Sequence, residues 1–238
     1  MGRVNVGMVG AAMAAWVVAG GVREAAAGVV YTSQARSVSG TGWISEPIPD
    51  PPGFKVTPMV DAQAAPDFGP FVASANLGSG AKATQNSVLG SGGVVASGST
   101  AASSFYYKNS LVVSASSKSL IEIAFTLDEP TAFQAWGTLQ SSGFQGFASG
   151  SFGLKGPGID LFFSNFKSLS SLVEFNEAGV LQPGAYTLTT GSYAGDISPF
   201  DFSSSYTINF TIPAPGPGMA ALAAVTVMAG RRGGRRRG

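Results

Sequence analysis

The chain is predicted to be all-β, an antiparallel β-sandwich of jelly-roll-like type, on three observations. Apolar and polar residues alternate with a period of two through much of its middle. Pro-Gly and Asp-Pro turn signals separate those stretches. No long amphipathic helix stands out between residues 28 and 213, and 33 glycines with only 11% charged residues disfavour a long-helix protein. The expected organisation of the 238 residues is a signal peptide over 1–27, one sandwich domain over 28–212, and a tail over 213–238 holding a short hydrophobic helix.

The opening stretch, MGRVNVGMVGAAMAAWVVAGGVREAAAG, has one early cation, Arg3, then an apolar run from Val6 to Val22 and small residues at Ala25, Ala26 and Ala27. That is the order of n-region, h-region and A-x-A site in a secretory signal peptide, which puts cleavage between Ala27 and Gly28, with Ala25 at the other small position. An uncut N-terminal anchor is the alternative. Arg23 and Glu24, between the run and the site, leave room for cleavage a few residues away.

Strand-like segments follow in order: VVYTSQARSVS (29–39), FYYKNSLVVS (105–114), SLIEIAFTL (119–127), TAFQAWGTL (131–139), IDLFFS (159–164), SLVEFNE (171–177), AYTLTTGSY (185–193) and SYTINFTI (205–212). Alternation is cleanest in two of them. It puts Ile121, Ile123, Phe125 and Leu127 on one face, and Tyr206, Ile208, Phe210 and Ile212 on another. Pro183-Gly184 suits positions i+1 and i+2 of a type II turn, and "DPPG", "DEP" and "KGPG" are further hairpin-like breaks. Residues 45–70, rich in proline and aspartate, are expected to form an irregular loop. The small, polar stretch from 74 to 105 is either a flexible linker or a pair of strands with Val88, Leu89, Val94 and Val95 turned inward; strands are the favoured reading.

The far end reads TIPAPGPGMAALAAVTVMAGRRGGRRRG. Its apolar part, Met219 to Gly230, would reach only ~18 Å as a helix, against a bilayer core of ~30 Å. It suits transient insertion better than permanent anchoring. Arg231, Arg232, Arg235, Arg236 and Arg237 would orient it, since cations stay on the cytoplasmic side. A Pro-x-Pro-Gly motif, an apolar helix and a terminal arginine cluster, in that order, resemble the tripartite PEP-CTERM sorting signal. Pro213, Ala214, Pro215 and Gly216 match the motif, with Ala214 where the family usually carries Glu. The resemblance implies processing by an exosortase-like enzyme, a membrane-embedded cysteine transpeptidase, after signal peptidase has acted at the other end. It also implies an association with extracellular polysaccharide. Other proteins with this signal have Ser/Ala/Gly-rich mature regions resembling 74–105, followed by strands resembling Phe125-Thr126-Leu127 and Leu181 to Leu188.

Chemistry is limited by inventory. The chain has no cysteine and no histidine, so thiolate nucleophiles, disulfides, histidine bases and the commonest zinc ligands are all missing. Between Gly28 and Pro213, twelve acids face seven bases, an excess of five negative charges that argues against nucleic acid as a partner. Asp128 and Glu129 are adjacent and precede Pro130, a turn setting in which neither flanks a bond with the other. Glu174 and Glu177 fare no better, and Glu122 and Asp160 are the residues to replace if glycan turnover is found. Asp50, Asp196 and Asp201 are loop carboxylates of the kind that hold calcium, without the D-x-D-x-D-G ladder. No cofactor or metal site is expected.

Trp136 is the residue of most interest. In TAFQAWGTL the apolar face holds Phe133, Ala135, Gly137 and Leu139, so Trp136 falls on the other face between Gln134 and Thr138. A tryptophan flanked by amide and hydroxyl groups is suited to stacking on a sugar ring; the alternative is a core residue covered by a loop. Trp43, beside a glycine-rich turn, fits either role. Three functions remain in view: a non-enzymatic exported protein of the cell surface or extracellular matrix, a carbohydrate-binding module using Trp136 or Trp43, and a two-carboxylate hydrolase.

Overall fold

The computed structural model describes residues 29–48, 53–78, 80–103, 106–107, 110–143, 147–165, 170–196 and 201–213, with backbone alone for 106–107, 110–114 and 196. The signal-peptide positions Ala25, Ala27 and Gly28, the motif residues Ala214, Pro215 and Gly216, and the five terminal arginines lie outside the described residues; Pro213 is the last one inside.

Two antiparallel sheets pack face to face, and no helix occurs among the described residues. The strands are β1 (Val29–Ile48), β2 (Gly53–Ala64), β3 (Phe71–Asn76), β4 (Ala81–Gly90), β5 (Gly93–Ser103), β6 (Tyr106–Tyr107), β7 (Ser110–Leu127), β8 (Thr131–Ser142), β9 (Ala148–Gly156), β10 (Ile159–Ser164), β11 (Ser171–Leu181), β12 (Gly184–Asp196) and β13 (Asp201–Thr211). One sheet runs β10-β9-β12-β7-β1-β2, with β6 hairpinned on β7. The other runs β11-β8-β13-β5-β4-β3. From β7 onward only the β9–β10 connection stays within a sheet; the others change layers.

The clean alternations form the core. Ile121, Ile123, Phe125 and Leu127 of β7 and Tyr206, Ile208 and Phe210 of β13 are all buried, as is Ile212 just beyond it. Aromatic rings tie the layers together: Phe152 of β9 and Phe163 of β10 stack on Phe175 of β11 at 4.7 and 5.0 Å between centroids. Phe125 stacks on Tyr186 of β12 at 5.3 Å. Each fully buried ring, Phe125, Phe152 and Tyr186 among them, contributes on the order of 1.5–3 kcal/mol through burial. Toward β3 and β4 the interior is made of small groups, Ala73, Ala75 and Ala83 with Val38 and Phe71.

Three expectations change. Residues 53–64, placed in an irregular loop, form β2, paired with β1 from Ser37↔Ala64 to Ile48↔Gly53. Its proline, Pro58, is tolerated because an edge strand needs no outward N–H donor. The 74–105 stretch is indeed strands, but Val88 and Val95 face outward, 45% and 53% exposed, whereas Val94 is buried and Leu89 half-buried. Val88 lies opposite Val95 and Leu89 opposite Val94, so parity sends one pair in and the other out. Finally, two hairpin-like breaks are corners between sheets: residues 128–130 join β7 to β8, and Pro183-Gly184 joins β11 to β12. Gly184 has a φ of 141°, which favours glycine, and the Tyr186 hydroxyl donates back to the Gln182 carbonyl at 2.6 Å, the geometry of a tyrosine corner. By contrast "KGPG" makes a true hairpin, with Gly156 opposite Ile159.

Candidate functional site

The outer face of the six-stranded sheet is a regular field of hydroxyls and amides. Its rows follow from register. Asn176, Trp136, Asn209, Val95 and Val88 stand side by side across β11, β8, β13, β5 and β4. The next row reads Glu174, Thr138, Thr207, Ser97, Asn86 and, on β3, Val72. Cross-strand hydrogen bonds hold the field: Thr138 Oγ1 and Thr207 Oγ1 are 2.7 Å apart, as are Thr84 Oγ1 and Ser99 Oγ, and Gln134 Nε2 donates to Asn176 Oδ1 at 3.4 Å. Such pairs stiffen a sheet by a few tenths of a kcal/mol to ~1 kcal/mol each.

Trp136 lies on this outer face and is half-buried among its neighbours rather than enclosed in the core. It borders a shallow depression of ≈ 550 Å³ with Gln134, Thr138, Asn176, Asn209 and Glu174. Beneath it, Gly137 has the core-facing parity of β8 and leaves room for the Phe175 ring, since a Cβ there would meet that ring and the Thr207 carbonyl oxygen. A second depression, ≈ 610 Å³, lies over β3, β4, β5 and β13, and Thr207 lines both. Trp43, 38% exposed, belongs to the seven-stranded sheet, opposite Pro58, so the two tryptophans form no common platform.

The carboxylates do not converge. Asp128 and Glu129 are exposed at the β7–β8 corner, and Asp201 is exposed at the start of β13. Glu174 is on the outer face of β11, whereas Glu177 shares the inward parity of Phe175. Glu122 and Asp160 are separated by three strand spacings, β7 to β12 to β9 to β10. At ~4.8 Å per spacing that is ~14 Å, wider than the ~5–9.5 Å of glycosidase carboxylate pairs. Asp50 lies outside the described residues. Among the described residues, no group of three Asp or Glu side chains is placed to hold a metal ion.

Arg36 is the charged residue that sequence reasoning passed over. It is 1% exposed, on β1 between Gln34 and Val38 of the same inward row. Its Nη2 donates to the carbonyls of Asp67 and Gly69 at 2.6 and 2.7 Å, its Nε to Gln34 Oε1 at 2.9 Å, and its Nη1 to Ser87 Oγ at 3.2 Å. The guanidinium also lies 5.7 Å from the Phe71 ring centroid. Burial pulls its pKa down to about 10, with the nearby Asp67 acting the other way. The signal was present in the alternation, because Val38 inward implies Arg36 inward. In comparisons with known proteins, no family model and no curated sequence matches this chain.

Proposed function

We propose that this chain is an exported, non-enzymatic protein of the cell surface or extracellular matrix, delivered through a PEP-CTERM-type tail. The observation that carries this reading is the order of three parts at the C-terminus: Pro213 to Gly216, the apolar stretch, and the arginines from Arg231 to Arg237. In this reading a jelly-roll-like sandwich sits between a signal peptide removed near Gly28 and a short hydrophobic helix. That helix enters the membrane transiently and is cut away by an exosortase-like enzyme near Pro213. The partners are signal peptidase, the sorting enzyme and extracellular polysaccharide; nucleic acid is not among them. Intact-mass measurement on the protein collected outside the cell tests it. Termini near Gly28 and Pro213 are expected, and a mass retaining Arg231 to Arg237 removes the sorting claim.

A second reading, a carbohydrate-binding module, is favoured by the placement of Trp136 on an outer sheet face beside three amide side chains. Trp43 lacks such a ring of amides among its strand partners, Pro58 and Ser114. The two readings are compatible, because a matrix protein needs a means of retention. Loss of glycan binding in Trp136→Ala, with Trp43→Ala unaffected, is the expected result.

A further inference from the structure

We infer that the outer face of the six-stranded sheet takes one linear, uncharged polysaccharide, laid across the strands, with Trp136 as anchor at one end of a continuous track. The inference rests on the Trp136 reading and extends it to the class and orientation of the ligand. Three observations carry it. First, the depression at Trp136 and the larger one over β3, β4 and β5 meet at Thr207, so the recessed surface runs across all six strands. Six strands at ~4.8 Å spacing make it ~24 Å long, enough for several sugar units.

Second, adjacent rows differ in chemistry. One row presents the ring of Trp136 between Asn176 and Asn209; the next presents Thr138, Thr207, Ser97 and Asn86 and ends on the exposed Val72. The rows are ~7 Å apart, two residues along a strand. A pyranose has a C–H face and a hydroxyl rim, so a ribbon of them matches apolar contacts at Trp136 and Val72 joined by a row of hydrogen-bonding side chains. Val72, 76% exposed and in no core cluster, lines the second depression, and this gives it a role.

Third, charge selects against other polymers. Among the described residues of these two rows, Glu174 is the single charged side chain, and it lies at one end. Nucleic acids and acidic glycans need cations that the track does not offer. A protein partner would leave the cross-strand hydroxyl and amide field to be desolvated around few large apolar anchors.

The test is calorimetric titration of the full chain with cello-, xylo- and β-1,3-gluco-oligosaccharides of two and six units, and with polygalacturonate. At least one neutral hexamer is expected to bind about tenfold or more tighter than its dimer, ~1.4 kcal/mol, with polygalacturonate weaker than that hexamer. Asn86→Ala and Val72→Glu, both at exposed positions three and four strands from Trp136, are expected to weaken the hexamer several-fold and leave the dimer unchanged. Trp136→Ala is expected to weaken both. If hexamer and dimer bind equally, or if Asn86→Ala and Val72→Glu are silent while Trp136→Ala still abolishes binding, the track is overturned and the Trp136 reading survives. Binding of polygalacturonate as tight as the best neutral hexamer overturns the uncharged class. No binding by any neutral oligomer, with the variants folded by circular dichroism, overturns both.

Discussion

Arg36 keeps its charge inside the sandwich because the donors of its rigid fork meet carbonyl and hydroxyl oxygens from three separate parts of the chain. Its pKa of about 10 still lies well above neutrality. The bonds to Asp67 and Gly69 hold the connection from β2 to β3 against the core, and the Ala65 N–H closes it onto the Arg36 carbonyl at 2.8 Å. Arg36→Met would leave those carbonyls without donors, so urea unfolding should show a loss of ~2–4 kcal/mol. Arg36→Lys, which keeps the charge but not the fork, should recover less than half of it.

The buried tyrosines predict the alkaline limit. Burial pushes Tyr31 and Tyr206 up to about 12, the latter against hydrogen bonds from Ser119 and Gln85, and burial raises Tyr186 as well. An unfolded phenol titrates near ~10. The folded chain therefore holds protons that the unfolded chain releases, and this stability is full below pH about 10 and lost as pH rises towards 12. Arg36 has the opposite sign, its folded value lying below the unfolded one, so the strain of its burial relaxes above pH 10. Two tyrosines outweigh one arginine over the same window. The share of ultraviolet phenolate absorbance from Tyr31, Tyr186 and Tyr206 should rise late and together with loss of circular dichroism near the top of that range; titration of these three near pH 10 would contradict it.

At the scale of elements, the open edges show how a chain without disulfides closes its sandwich. The edge strand β3 is met by side chains of the other sheet's edge strand, β2: Asp61 Oδ2 accepts from the Asn76 N–H at 2.7 Å, and Gln63 Nε2 donates to the Ser74 carbonyl at 2.8 Å. On the opposite side, Asn165 accepts from the Gly150 N–H, and its carbonyl takes the Ser141 and Ser171 hydroxyls at 3.0 and 3.2 Å. Replacing both Asp61 and Gln63 by Ala should accelerate amide exchange in β3 selectively and lower stability by ~1–2 kcal/mol. None of this was readable beforehand. Proline and aspartate are depleted in central strands, so β2 looked like a loop; at an edge, Pro58 and Asp61 are compatible with pairing, and Asp61 acts as a cap.

At the scale of the whole molecule, the hydrophobic clusters share strands. β1 contributes Val29 to one and Val38 to another, while β5 and β13 serve the main cluster through Val94 and Tyr206 and a third through Ala102 and Phe202. One cooperative unit follows. Urea transitions followed by tryptophan fluorescence and by circular dichroism should coincide, and separated midpoints would show that the clusters melt independently.

The amino-acid sequence alone determined the class of the fold and the parity of its best strands, because a two-residue period reports which face each side chain takes. That was enough to place Ile121, Ile123, Phe125 and Leu127 inside and Trp136 on the opposite face of its strand. Only the tertiary structure decided which strands are neighbours. Pro-Gly serves a hairpin at Pro157-Gly158 and an inter-sheet corner at Pro183-Gly184, and the local signals are the same. The rows joining Trp136 to Val95 and Thr138 to Asn86 exist through pairings between strands far apart in sequence, and such contacts leave no periodic trace in either strand by itself.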